Sequence, residues 1–105
     1  MFPQSENFLR KCVKNIVKGF HPKRIVLFGS HAYGRPHRDS DLDLLVVKNT
    51  RLPFAERVRR VDALIGSREM PLDIIVLTPS EIKRRQRDFD PFLDEVFQRG
   101  RVMYG

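Results

Sequence analysis

Two aspartates separated by one residue, Asp41 and Asp43, open an otherwise apolar run, Asp-Leu-Asp-Leu-Leu-Val-Val. Because side chains alternate between the two faces of a strand, we expect both carboxylates to point the same way, opposite to Leu42 and Leu44. Two carboxylates in one small space repel each other unless a cation lies between them. Mg²⁺ suits such a site, since it binds one or two carboxylates together with waters and substrate phosphates. The pattern therefore predicts a metal site at the end of a strand.

A third aspartate, Asp73, lies near the start of a later apolar run, Leu72 to Leu77. Three carboxylates from two strands can hold two ions about 3.5 to 4 Å apart, an arrangement that stabilises the attacking and leaving oxygens of a phosphoryl displacement. Asp73 is also placed to accept the proton of an acceptor hydroxyl. The alternative is an acid exposed at a strand start without a role, which the companion aspartates disfavour.

A glycine-serine pair, Gly29-Ser30, directly follows the first apolar run and precedes the aspartates by ten residues. Glycine permits a positive φ and close approach of a phosphate to the backbone. A serine hydroxyl at a helix N-terminus would lie among free N–H groups that attract anions. Most glycine-serine pairs are plain turns, but this one would set a phosphate-binding loop beside the predicted metal site.

The elements that must position these residues follow from apolar periodicity and from capping residues. In chain order we predict a helix from Ser5 to Lys18, a strand from Arg24 to Phe28, a strand from Asp41 to Val47, a helix from Pro53 to Ile65, a strand from Leu72 to Leu77, a helix beginning after Thr78 and a helix from Asp90-Pro91 to Gly100. The order α-β-β-α-β-α-α predicts an α/β (α+β) fold, a small mixed sheet flanked by helices. Residues 102–104 either add a short edge strand or pack against the last helix.

Length and composition limit the classes of protein. We expect 105 residues to form one domain, 1–105, and we find no apolar run near the ~20 residues of a membrane span and no signal peptide. The expected location is the cytoplasm. The single cysteine, Cys12, excludes an internal disulfide and lies on an apolar helical stripe, which favours the core over a nucleophilic role.

The net charge of +7 is concentrated in one region. Residues 7–38 contain eight basic side chains and no acid, whereas the rest of the chain has twelve bases and thirteen acids. This asymmetry indicates an anionic partner, such as nucleotide phosphates, nucleic acid or an acidic protein surface. A solvated helix surface that keeps the protein soluble is the alternative.

Taken together, these motifs resemble the nucleotidyltransferase superfamily named for DNA polymerase β, and the whole chain resembles its small branch, the minimal nucleotidyltransferases (MNT) often encoded as antitoxins beside a HEPN-domain toxin. The resemblance implies that Gly29 and Ser30 bind the β and γ phosphates of a nucleotide. It implies metal binding by Asp41, Asp43 and Asp73, with Asp73 also the catalytic base, and a supporting role for Ser40 in the nucleotide site. Tyr33 stands where many relatives have arginine.

The activity implied by this resemblance is transfer of a nucleoside monophosphate, AMP from ATP being the expected case, to an acceptor hydroxyl with Mg²⁺ as cofactor. In the small branch the acceptor is thought to be a hydroxyl, typically of tyrosine, on the partner toxin. The alternative is a non-catalytic antitoxin or nucleotide-binding module with a vestigial site. A homodimer remains open, and nucleic-acid binding is disfavoured because the basic helix lacks an aromatic stacking platform.

Overall fold

The chain folds as a four-stranded sheet with two helices on each face, in a computed structural model that describes residues 3–34 and 41–105. The elements are α1 (Pro3–Phe20), β1 (Arg24–Phe28), β2 (Leu42–Val47), α2 (Phe54–Ile65), β3 (Leu72–Leu77), α3 (Pro79–Arg87), α4 (Pro91–Arg99) and β4 (Arg101–Tyr104). None of the helices in the described ranges has both the length and the apolar character that a transmembrane span requires.

The sheet is mixed, with the strand order β3-β2-β1-β4. β1 pairs antiparallel with β2 and with β4, whereas β2 and β3 are parallel and α2 forms the crossover between them. This arrangement confirms the predicted mixed sheet flanked by helices. It also decides between the two alternatives for residues 102–104, because they belong to a short edge strand.

Alternating side chains of the strands divide the core into two layers. The layer under α1 and α2 contains Leu42, Leu44 and Val46 from β2, together with Cys12. The layer under α3 and α4 contains Leu45 and Val47 from the same strand. Cys12 is buried, and burial raises the pKa of its thiol to about 11, which confirms its place in the core.

Capping residues set the helix ends much as the sequence predicts. The Thr78 side chain accepts a hydrogen bond from the Glu81 backbone N–H, and the Glu81 side chain accepts one from the Thr78 N–H, so α3 begins with a complete capping box. Asp90 caps α4 by accepting from the Leu93 N–H. The prediction for β2 is wrong by one residue, since the strand begins at Leu42 and Asp41 precedes it.

A buried arginine joins α2 to the opposite side of the sheet. The Arg57 guanidinium donates to the Leu52 carbonyl at 2.8 Å, to the Val76 carbonyl at 3.3 Å and to the Glu81 carboxylate at 2.7 Å. The same carboxylate oxygen accepts the Thr78 N–H. Arg57 therefore ties the crossover helix to the end of β3 and the start of α3, and these bonds keep the pKa of Glu81 below its usual value.

We expect Arg57→Ala to lower the free energy of unfolding by about 2 to 4 kcal/mol, because it leaves buried carbonyls and the Glu81 carboxylate without their donor. Arg59→Ala is the matched control on the same helix: its side chain is 74% exposed and only pairs with Glu56. The control should cost less than about 1 kcal/mol. Urea denaturation measures both, and equal costs would show that the Arg57 network adds nothing.

Candidate functional site

Strand pairing brings two of the three predicted carboxylates side by side. Asp43 is the second residue of β2 and Asp73 the second residue of β3, and the two are register partners in the parallel pair. Both lie on the α3 and α4 face of the sheet, because their strand neighbours two residues on belong to that layer of the core. The Asp73 carboxyl group lies close enough to Asp43 to raise its pKa. The expected convergence of Asp73 with the first motif is therefore present in the structure.

The surroundings of Asp43 disfavour a negative charge. Partial burial, followed by the nearby carboxylates of Asp73 and Asp41, raises the pKa of Asp43 to about 6. A divalent cation bound between the carboxylates would remove this repulsion.

Asp41 lies just before β2, exposed to solvent, and acts on Asp43 through its charge. Within residues 3–34 and 41–105, no group of three or more histidine, cysteine, aspartate or glutamate side chains is gathered as a ready-made metal site. The structure thus brings together the pair Asp43 and Asp73 with Asp41 at its border. Metal binding by all three carboxylates stays a prediction.

Gly29 places the turn after β1 directly against the Asp43 carboxylate. Phe28, the last residue of β1, is the register partner of Asp43, and Gly29 follows it with a φ of +76°. A Cβ atom at position 29 would lie 2.2 Å from the Asp43 Oδ2 atom. Glycine is required here both for the left-handed backbone and for the space that the carboxylate occupies.

The Gly29-Ser30 segment forms a turn and not the helix N-terminus considered from the sequence. The backbone N–H groups of Ala32 and Tyr33 both donate to the Gly29 carbonyl, each at 3.0 Å, and no helix is present in residues 29–34. Ser30 is partly exposed within this turn. Ser40 lies outside the described residues, so its predicted supporting role stays a prediction.

Helix α4 supports this turn from the side, a feature that the sequence did not reveal. The Arg99 guanidinium lies over the Tyr33 ring, 4.4 Å from its centroid, and the Phe92 ring packs edge-on against Phe28 with 5.4 Å between centroids. Phe92 is 41% exposed beside this contact. The sequence signals for this packing are limited to two aromatic residues that flank the turn, Phe28 and Tyr33, and to an arginine on the last helix.

His31, the residue next to Ser30, is buried, with 6% of its surface exposed. The loop histidine at position 37 lies outside the described residues.

A family comparison identifies this arrangement. The profile of the nucleotidyltransferase domain family matches residues 8–101, which include all four strands in whole or in part and every described candidate residue. The chain belongs to this family. It is therefore a nucleotidyltransferase, as the resemblance of its motifs implied. A search of curated protein sequences found no significant match.

Solved structures share the fold of this nucleotidyltransferase. A protein from Sulfolobus solfataricus, provisionally described as a nucleotidyltransferase, is 26% identical with a TM-score of 0.61, over 74% of this chain and 70% of that one. A toxin-antitoxin structure with AMP-PNP is 24% identical with a TM-score of 0.65, over 95% and 73%. A variant of the toxin-antitoxin MntA-HpeT is 23% identical with a TM-score of 0.64, over 90% and 71%. These likenesses agree with the mixed sheet and the flanking helices.

The donor set of this nucleotidyltransferase fits a hard divalent cation. Oxygen ligands from one or two carboxylates are what Mg²⁺ takes from a protein, with waters and substrate phosphates as the remainder. Asp43 and Asp73 supply such oxygens, and a cation would relieve the unfavourable surroundings of the Asp43 charge. Gly29 has no side chain that would collide with the Asp43 carboxylate, so the backbone of the turn lies directly against these oxygens.

We expect Gly29→Ala to lower the free energy of unfolding by about 2 to 3 kcal/mol, from backbone strain plus the overlap with the Asp43 carboxylate. Gly34→Ala is the matched control: its φ is +82°, but no atom of the described residues lies within 4 Å of the added Cβ. The control should show the strain alone, about 1 kcal/mol. Chemical denaturation compares them, and equal losses would contradict the proposed close approach.

The raised pKa of Asp43 predicts a pH-dependent stability in metal-free buffer. Since the folded pKa of about 6 exceeds the ordinary value of 3.8, Asp43 favours folding at low pH, and this contribution is lost as pH rises through 6. Asp43→Asn should therefore be more stable than the wild type at pH 7.5, on the order of 1 kcal/mol after allowing for solvent screening, with no gain near pH 4. Urea denaturation across this range, with a chelator present, measures the difference. A gain independent of pH would contradict the assignment.

Proposed function

We propose that this nucleotidyltransferase transfers AMP from ATP, with Mg²⁺, to a hydroxyl on a partner protein, and that it acts in the cytoplasm as the antitoxin of a HEPN/MNT pair. The observation that carries the proposal is the meeting of the Asp43 and Asp73 carboxyl groups with the Gly29 turn at one end of the sheet. That combination places hard oxygen ligands beside a backbone that a phosphate can approach.

Each part of the site has a role in this scheme. The turn at Gly29 and Ser30 binds the β and γ phosphates through its backbone and hydroxyl, with Ser40 as a supporting residue. Asp41, Asp43 and Asp73 hold Mg²⁺, with two ions the expected number. When bound, Mg²⁺ neutralises charge on the phosphates and on the attacking and leaving oxygens.

Asp73 is the proposed base for the acceptor hydroxyl. It lies at the exposed start of β3, where an incoming group can reach it, whereas Asp43 is partly buried. The acceptor oxygen then attacks the α phosphorus, the bond to the leaving pyrophosphate breaks, and the hydroxyl proton goes to Asp73.

A partner protein is proposed as the source of the acceptor. The described residues form one sheet with its four helices and contain no separate unit dedicated to an acceptor. Two of the structures that share the fold are titled as toxin-antitoxin structures, one of them with AMP-PNP. A HEPN-type toxin that presents a tyrosine hydroxyl is the proposed partner.

Labelled ATP tests this proposal directly. With Mg²⁺ and the protein encoded by the neighbouring gene, the wild type should transfer label to that protein, and Asp41→Asn/Asp43→Asn should reduce the rate by at least ~10²-fold because the phosphate charge is no longer neutralised. The control is Asp88→Asn, which changes an exposed aspartate at the end of α3. This variant should retain activity.

Absence of transfer with a folded wild type and a folded partner would contradict the catalytic proposal. If the double variant also protected cells from the partner as well as the wild type does, the non-catalytic alternative, an antitoxin that acts by binding, would replace it.

A further inference from the structure

A groove of about 530 Å³ runs between α1 and the edge strand β4, on a different face from the carboxylates. Its lining residues are Arg10, Val13, Lys14, Val17, Lys18, Met103 and Tyr104. α1 covers the face of the sheet opposite to α3 and α4, whereas the carboxyl pair lies on the α3 and α4 face. The groove is therefore separate from the nucleotide site.

All the charged side chains that line this groove are basic. Arg10, Lys14 and Lys18 follow one another at four-residue intervals, so they form a line about 12 Å long on one edge of α1. None of the lining residues is acidic, and Glu6, at the Arg10 end, is already paired with Arg10 and Arg101. Within the described part of the chain, no ion pair includes Lys14 or Lys18.

The floor of the groove is apolar. Val13, Val17 and Met103 are partly buried against the core and present their outer sides to it. Tyr104 is 41% exposed at the rim. An apolar floor beside a row of cations is complementary to an amphipathic segment that carries acids along one edge.

A helix fits this groove better than an added strand does. β4 has only four residues, and its pairing with β1 shifts register between Ile25 and Val26, which is a bulge. Short length and a bulge both hinder edge-to-edge pairing. A partner helix can instead lie along α1, where acids at four-residue intervals match the three cations.

The same features favour protein over nucleic acid. Nucleic-acid sites combine cations with aromatic rings on which bases stack, whereas three of the four apolar side chains here are aliphatic or thioether groups. We propose that the α1/β4 groove is a docking surface for an acidic amphipathic helix of a partner protein. The proposal goes beyond nucleotide transfer and holds whether or not the chain is catalytically active.

A peptide titration tests the docking surface. The probe is a fluorescein-labelled helical peptide of about 16 residues, with glutamates every fourth position along one edge and leucines beside them. The wild type should bind it saturably, and Lys14→Glu/Lys18→Glu should weaken the affinity roughly tenfold or more. Tyr104→Ala should weaken it several-fold at unchanged charge. Lys11→Glu/Lys83→Glu makes the same change in net charge outside the groove and should alter the affinity by less than about twofold.

Amide chemical shifts locate the peptide and verify that each variant is folded. Shifts centred on Val13, Val17 and Met103 support the groove. Equal weakening by the control variant would overturn the proposal, because net charge alone would then explain binding. Absence of saturable peptide binding would also overturn the proposal. So would a single-stranded oligonucleotide of equal charge that binds the groove more tightly than the peptide does.

Discussion

Repulsion between two carboxylates on neighbouring strands is the constraint on which this structure depends. The parallel pairing of β2 and β3 sets Asp43 opposite Asp73, although every other residue of the two strands is apolar. This pair destabilises the folded protein, and the packing of the buried strands must compensate for the loss. Core residues such as Leu44 and Val76, which are fully buried on the other face of the same strands, offset the cost. The proposed cation would remove this unfavourable arrangement.

The elements around the pair keep that arrangement in place. Gly29 lets the backbone of the β1 turn come against the Asp43 carboxylate, and α4 holds the turn through Tyr33 and Arg99. On the far side of β3, Arg57 fixes the crossover helix to the strand that carries Asp73. The site is therefore supported from both faces of the sheet, whereas the surface of α1 is left for other contacts.

Local signals in the sequence predicted most elements, whereas contacts between distant segments could not be predicted from the sequence. The capping residues around Thr78 set the start of α3, and the run from Leu72 to Leu77 gave β3 its bounds, since both are encoded within a few neighbouring residues. Arg57 was not predicted to be buried, although it lies four residues before Val61 on the inward stripe of α2, because its partners are up to 24 residues away. The convergence of the aspartates was predictable in outline, but the position of Asp43 directly opposite Asp73 depends on a strand register that no local pattern fixes.

The parallel connection through α2 has a consequence for how the protein is made. Asp43 and Asp73 are thirty positions apart in the chain and meet only after the crossover has closed, and non-local pairing of this kind forms slowly compared with helices and hairpins. The antiparallel pair of β1 and β2 joins segments nearer in the chain, so the Gly29 turn can reach Asp43 before Asp73 arrives. A newly synthesised chain whose β3 has not yet docked therefore has the Gly29 turn and Asp43 of the proposed site but not Asp73 beside them.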